Sequence, residues 1–345
     1  MTVAPVDTGW VVPYGTLPED PEERFLFLSS CFERQVVEAT PHDRGWLLEL
    51  RWPGSAASYV DPRLEEGLRW FSEQLLVSDI HLGVRLEEGF QLALDDGWTL
   101  LSWSSWLQER PAPQGLSVLH LDSHADLMSP RLSRAGGGWT DLMTGGAVDL
   151  RDPLSVVAAL RSNAIGIGSF IVPFVHDVPG LDLFHLCARG RMTAAPGVYA
   201  VEPVLDEDDR LFPGARRPRA ALRRASDTEL RRSPAGRSRY HLSDDLGELL
   251  AAIPPGPVLL HVDMDYFNDR YDGRPDWQET VRHDPAPDDV LASIDQVFHA
   301  LAASPVGERI EDVTVALSPG FFPAELWEAA IDRVRHGVRR LGGGV

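Results

Sequence analysis

Apolar residues in this chain fall into short blocks with two different periods. Over residues 61–76 (DPRLEEGLRWFSEQLL), Leu64, Leu68, Phe71 and Leu75 recur at helical spacing behind Pro62, which predicts a helix that Asp61 can cap. Residues 152–162 read as a second amphipathic helix and 323–340 as a closing one. Strand-like apolar runs stand at 45–52, 97–101, 116–121, 197–204, 257–262 and 312–317, and 164–175 (AIGIGSFIVPFV) reads as a strand running into a loop. From about residue 97 onward strands and helices alternate, the pattern of an α/β fold whose largely parallel sheet is covered on both faces. Residues 1–60 read as an N-terminal elaboration of that unit. Residues 205–240 interrupt the alternation: ten arginines lie between 210 and 239 among Pro, Ser and Gly, which reads as a long surface excursion with a helix at its centre.

Length and charge narrow the picture. The 345 residues are read as one α/β domain, large enough to bury a sizeable core. Its 32 basic residues, all arginine, face 52 acidic ones, and the net charge of -20 argues against a nucleic-acid partner while favouring a cationic substrate. Cys31 and Cys187 are too few for a disulfide framework and form no CxxC pair. The start has no basic, apolar leader, and no run reaches the roughly 18 apolar residues of a membrane span, so a cytoplasmic setting without membrane contact is expected. Phosphate-loop, dinucleotide, nucleophile-elbow and HExxH patterns are absent.

Chemistry concentrates at two strand ends. In SVLHLDSHADL (117–127) an apolar strand delivers Asp122, His124 and Asp126 at i, i+2 and i+4, side chains that share one face if the chain stays extended. In PVLLHVDMDYF (257–267) a similar strand presents Asp263 and Asp265. A single DxD or DxHxD can be a solvated turn, a cap or a salt-bridge cluster, but its repetition points to a divalent cation between the acids. Ligands of an open parallel sheet bind outside its carboxyl ends, where both clusters lie. Four carboxylates and one imidazole suit Mn or Mg better than Zn, and exceed the needs of one ion, which favours a pair. His120 and His261, two residues before each cluster, sit deeper and are expected to support the ligands by hydrogen bonding.

HLDSHADL and HVDMDYF resemble the paired signatures of the arginase and deacetylase fold, a three-layer α/β architecture with a mostly parallel central sheet. SNAIGIGSFIVPF (162–174) and DVTVALSPGFFP (312–323) are similar to the branch of it that includes the peptide arginases. The resemblance spans roughly residues 97–335. It implies manganese-dependent conversion of peptidyl arginine to ornithine and urea in a ribosomally made precursor peptide. It also implies Asp122 and Asp263 as bridging carboxylates, His124 and Asp265 on one Mn2+, and Asp126 on the other.

Two features depart from the arginase pattern. Arginases take a further metal-binding histidine from an earlier strand end; residues 99–110 (TLLSWSSWLQER) look like the corresponding stretch and offer only Ser104 or Ser105, with His81 the nearest upstream histidine. The free-arginine enzymes hold the guanidinium with a glutamate where this chain reads Ala316, Leu317, Ser318, Pro319. A proton for the departing amine is expected from His176, with His185 and a His283 lid loop as weaker choices. Trp103 and Trp106 read as core or as a cleft wall. The rival readings are a zinc-dependent amide hydrolase or deacetylase using Asp122, His124 and Asp263 around one Zn2+, and a catalytically silent peptide-binding protein.

Overall fold

The structure is a computed structural model that describes residues 10–32, 34–110, 115–207, 209–226, 237–279 and 283–341. The N-terminal elaboration is a small antiparallel sheet of β1 (Trp10–Pro13), β2 (Val36–His42) and β3 (Gly45–Arg51), ordered β1-β3-β2, with a helix at Pro21–Cys31. Next in the chain come β4 (Val84–Glu87), β5 (Phe90–Ala93) and β6 (Ser117–Leu121), then a second small antiparallel sheet of β7 (Leu132–Ala135), β8 (Gly138–Asp141) and β9 (Ala147–Val148). The glycine run at 136–138 lies at the β7–β8 hairpin: Gly136 and Gly137 take φ of 60° and 90°, which a two-residue hairpin turn requires. The remaining strands are β10 (Asp182–Leu186), β11 (Gly197–Asp206), β12 (Arg217–Arg224), β13 (Arg239–Ser243), β14 (Val258–Asp263) and β15 (Ile310–Ala316).

Nine strands form the central sheet in the order β12-β11-β13-β10-β6-β14-β15-β5-β4. The six from β13 to β5 run parallel, and antiparallel strands close both edges. Every residue of β6, β10 and β14 is buried, which is why these strands read as continuous apolar runs and not as alternating ones. Leu119, Leu121, Leu260 and Val262 face the helices at Pro287–Ala303 and Trp327–Val338. Val118 and Leu259 face the opposite layer, where Trp103 packs on Phe170 and Phe174 at ring-centroid distances of 5.4 and 4.7 Å. Period two then places His120, Asp122, His261 and Asp263 on the Trp103 side. Trp103 and Trp106 are core residues, the latter donating from Nε1 to Glu311 at 3.1 Å.

Several sequence expectations shift. The helix of 61–76 is confined to Leu64–Phe71, and Asp61 accepts from the backbone of Arg63 and Ala324 just ahead of it. Residues 97–101 are no strand: a turn at Asp96–Trp98 leads into a helix at Thr99–Glu109. Residues 164–175 form a loop and then a helix, Ile171–Asp177, because Gly168 turns the chain at φ 67° and Pro173 is tolerated in a helical first turn. The arginine-rich excursion contributes a strand, β12, paired antiparallel with β11; the helix expected at its centre falls partly on residues 227–236, outside the described residues.

Candidate metal centre

Five parallel strands, β10, β6, β14, β15 and β5, end at one place. The register aligns His185 with His120 and His120 with His261, so Asp122 and Asp263, each two residues further on, leave the sheet side by side. β5 ends at the same edge and is followed by Asp95 and Asp96; β15 is followed by Ser318. Asp122, Asp263, Asp265 and Asp96 are 1–3% exposed, Asp126 is 7% exposed, and His124 stands half-buried above them.

The DxHxD spacing works differently from the extended-strand expectation. β6 stops at Leu121, and the following residues turn: the His124 amide donates to Asp122 Oδ1 at 2.6 Å, and Asp126 adopts a left-handed φ of 50°. A loop folded on its own aspartate therefore brings the three side chains together. Beyond β14, Asp263 Oδ1 accepts from the Asp265 amide at 3.0 Å and Asp263 Oδ2 from Ser318 Oγ at 2.5 Å. Asp265 Oδ1 accepts from the Ser123 amide at 3.1 Å, and its Oδ2 lies 2.9 Å from His124 Nδ1. The structure thus gathers all five sequence-expected ligands, Asp122, His124, Asp126, Asp263 and Asp265, at one end of the sheet.

A sixth group joins them. Asp96, which sequence reading passed over, faces Asp126 and lies close enough to Asp263 to repel it. It lines the same cleft, while its Oδ2 is fixed by the Gly168 amide at 2.8 Å. Ser104 and Ser105 do not take this place: they lie on the helix at Thr99–Glu109, Ser104 in its buried face and Ser105 bonded to the Leu101 carbonyl. His81 stacks on Trp52 with ring centroids 3.9 Å apart and does not line the cleft.

The electrostatics call for cations. Burial, then repulsion from one another, holds Asp96, Asp122 and Asp263 well above the usual carboxylate range, and burial raises Asp126 as well. Burial would lower His124, but Asp265, Asp122 and Asp272 around it more than reverse that; burial would raise Asp265, and His124 brings it down. Asp96 Oδ1, Asp122 Oδ2 and Asp126 Oδ2 are buried with no hydrogen-bond partner among the described residues. Unpaired buried carboxylate oxygens cost several kcal/mol each, and divalent ions on an oxygen-rich set with one imidazole would satisfy them. The donor set therefore fits a binuclear metal centre.

Beneath the acids runs a row of buried imidazoles. His120 Nδ1 lies 2.8 Å from His261 Nδ1, and His120 Nε2 lies 3.2 Å from the His124 carbonyl. His185 is set between the Asp122 carbonyl at 3.0 Å and the Tyr240 hydroxyl at 2.5 Å. Burial lowers all three, His185 to about 4 and His261 to about 3. His120 and His261 thus lie under the acids, hydrogen-bonded to each other and close to Asp122 and Asp126.

His176 is not brought to this place. It ends the helix at Ile171–Asp177, hydrogen-bonds the Arg219 carbonyl at 3.0 Å and packs edge-on to Trp139. β12, which carries Arg219, is four strand spacings from β6, roughly 19 Å, so the expected proton-donor role does not fit its position. His283 sits in an isolated bridge opposite Asp269.

The acids form the floor of a cleft of about 590 Å³. Its walls are Tyr59, Val60, Leu127, Met128, Ile167 and Phe321, together with Arg34 from the N-terminal elaboration. Arg34 is ion-paired with Asp95 and donates to the Pro319 carbonyl at 2.8 Å, tying the elaboration to the turns after β5 and β15. Among the described residues His124 is the one imidazole lining the cleft.

No protein-family model and no curated protein matches the chain. Among solved structures it is similar to the crystal structure of Helicobacter pylori arginase, with 11% identity, 74% of this chain and 75% of that chain covered, and a TM-score of 0.31.

Proposed function

We propose that this chain is a metal-dependent hydrolase that converts arginine side chains of a ribosomally made precursor peptide to ornithine, releasing urea. The observation that carries the reading is a cluster of five buried carboxylates and one imidazole, of which Asp96, Asp126, Asp263, Asp265 and His124 line the floor of an apolar-walled cleft and Asp122 lies among them. Two divalent ions bring four positive charges against five carboxylates. The excess negative charge favours a cationic group at the floor, and a guanidinium is such a group. Asp96 in this way supplies acidity at the floor that Ala316, in the strand before the late turn, does not.

Asp96, Asp122, His124, Asp126, Asp263 and Asp265 would hold the ions, Mn2+ in this reading. When bound, such a pair lowers the pKa of water to about 7 and so makes a nucleophile at neutral pH. The net reaction adds water to the guanidinium carbon and breaks its bond to the side-chain nitrogen, which leaves as an amine carrying the proton. The chain's own residues set the geometry. Ser318 and the Asp265 amide fix Asp263, and the Ser123 amide fixes Asp265. Leu127, Ile167 and Phe321 offer an apolar sleeve for the methylenes of an arginine side chain. The Tyr59 hydroxyl makes no hydrogen bond among the described residues, and burial pushes it up to about 12, so it keeps its proton for a hydrogen bond to the substrate.

A single-zinc amide hydrolase needs only Asp122, His124 and Asp263. Asp96, Asp126 and Asp265 would then be three surplus buried acids, which disfavours that reading. The test is a urea-release assay with Mn2+ on an arginine-containing peptide and on free arginine, with metal content by elemental analysis. Urea from the peptide alone, with two Mn2+ per chain, is the expected result. One Zn2+ and no urea would establish the amide hydrolase instead, and no metal with no urea a silent binding protein.

A further inference from the structure

The arginine-rich excursion and the N-terminal elaboration meet beside the cleft. Residues 209–217 lead into β12 and pack on the elaboration: Phe212 stacks on Trp10 with ring centroids 5.6 Å apart, while Arg210 lies 4.8 Å over the Phe27 ring and donates to the Thr16 carbonyl at 3.1 Å. Between them lies a pocket of about 280 Å³, walled by Phe27 and Cys31 of the helix at Pro21–Cys31, by Leu211 of the excursion and by Ser129.

Ser129 ties this pocket to the cleft. Met128, the residue before it, is a wall of the cleft, 45% exposed, with its amide donating to the Gly168 carbonyl at 2.9 Å. On the other side Arg217 donates to the Ser129 carbonyl at 2.7 Å and to the Pro130 carbonyl at 3.0 Å. Consecutive Cα atoms are about 3.8 Å apart, so cleft and pocket adjoin along a short piece of backbone.

The charges around the pocket are already matched. Asp209 is ion-paired with Arg217, Asp206 pairs with Arg219 at 2.9 Å, and Arg210 is held against Phe27. A charged ligand has to break one of these arrangements. What the pocket offers without such a cost is the apolar surface of Phe27, Leu211 and Cys31, and the Ser129 hydroxyl, whose oxygen is buried with no hydrogen-bond partner among the described residues.

We propose that this pocket takes an apolar side chain of leucine or phenylalanine size from the same peptide whose arginine enters the cleft, at a position within three residues of that arginine. This rests on the peptidyl-arginine reading above. In an extended peptide side chains i and i+2 point the same way roughly 7 Å apart, a span suited to two cavities that adjoin across one strip of backbone. Burying a side chain of this size strengthens binding about tenfold. Because it acts away from the guanidinium, the gain falls on KM and not on kcat. Free arginine has no such side chain to place.

The experiment measures urea release by the full chain with Mn2+ on capped undecapeptides of alanine and glycine with arginine at the centre, one leucine being moved through the other ten positions. One position among the three on either side of the arginine is expected to raise kcat/KM about tenfold through KM. Cys31→Phe fills the pocket and Phe27→Ala removes a wall; in each, with circular dichroism to verify folding, the ratio of kcat/KM between the leucine peptide and its leucine-free parent falls to about one. The favoured peptide also slows alkylation of the half-buried Cys31 thiol by N-ethylmaleimide, run at about pH 8.5 because burial pushes that thiol up; Cys187 is buried and does not compete. Equal kcat/KM for all the peptides in the wild type, which needs no variant, overturns the proposal, and so does a leucine preference that survives both variants. Urea from the peptides with Cys31 left unprotected removes this subsite and keeps the reading of the cleft. Protection of Cys31 without urea from any peptide keeps the subsite and removes the arginine hydrolysis, and neither protection nor urea overturns both.

Discussion

Asp122 and Asp263 leave adjacent parallel strands side by side, and each sits among other buried acids. Removing either relieves repulsion while deleting a ligand. Asp122→Ala and Asp263→Ala are expected to keep the circular dichroism spectrum of the wild type and to lose both bound metal and hydrolysis; normal metal content in either would sink the assigned centre. Tyr59→Phe removes only a hydroxyl at the cleft wall. Loss of one hydrogen bond to substrate costs about 0.5–1.5 kcal/mol, so kcat/KM for the peptide is expected to fall roughly 2- to 12-fold with metal content unchanged. Away from the cleft, Asp312 accepts from Ser102 at 2.6 Å while its other oxygen is buried without a partner among the described residues, and burial pushes it up to about 6. A carboxyl raised in the folded state binds its proton more tightly there than when unfolded. Stability is therefore lost as pH rises from the ordinary carboxylate value through about 6. Asp312→Asn keeps the acceptor for Ser102 and is expected to stabilise by up to about 3 kcal/mol at alkaline pH and by little near pH 4, measured by urea denaturation.

At the scale of elements, the legible parts of the chain were those whose burial pattern and chemistry coincide. β6 and β14 are apolar runs buried on both faces that end in acids, so strand, sheet end and ligands could all be read from one stretch of sequence. Asp96 was hidden for the opposite reason. β5 is only four residues long and includes Gln91, and the Asp95-Asp96-Gly97 that follows looks like an ordinary turn. The apolar residues after it belong to a helix, whose tryptophans and leucines resembled a strand in a short window. The same ambiguity makes 164–175 read as a strand running into a loop, whereas tertiary packing of Phe170 and Phe174 against Trp103 settles it as loop and helix. Helix contacts are equally specific. Gly337, on the helix at Trp327–Val338, packs so closely on the helix at Pro287–Ala303 that a Cβ would lie 2.3 Å from Phe298 Cγ. Gly337→Ala improves helix propensity but forces Phe298 to move, and a net loss of about 1–3 kcal/mol is expected in urea denaturation. A stabilised variant would show that the two helices separate at little cost.

At the scale of the whole molecule, the acid-rich centre couples metal, protons and stability. Asp96, Asp122, Asp126 and Asp263 are all raised in the folded chain, so without a cation the fold binds more protons than the unfolded chain from about pH 4 up to their raised values. Stability of the metal-stripped protein is then lost as pH rises across that window. Asp265, which is lowered, runs the other way: its contribution is present above the unfolded carboxylate value and is lost only as pH falls through its folded one, below the window. Bound divalent ions reverse the balance, because the same four carboxylates become favourably paired once charged, and each ion at 100 times its Kd adds about 2.7 kcal/mol. The gap in melting temperature between Mn2+-loaded and EDTA-treated protein is therefore expected to widen steadily from about pH 5 to about pH 8. A gap that stays constant or narrows over that range would mean that the buried acids are neutralised from within the protein, by protons or by arginines, and that the cluster is not a metal centre.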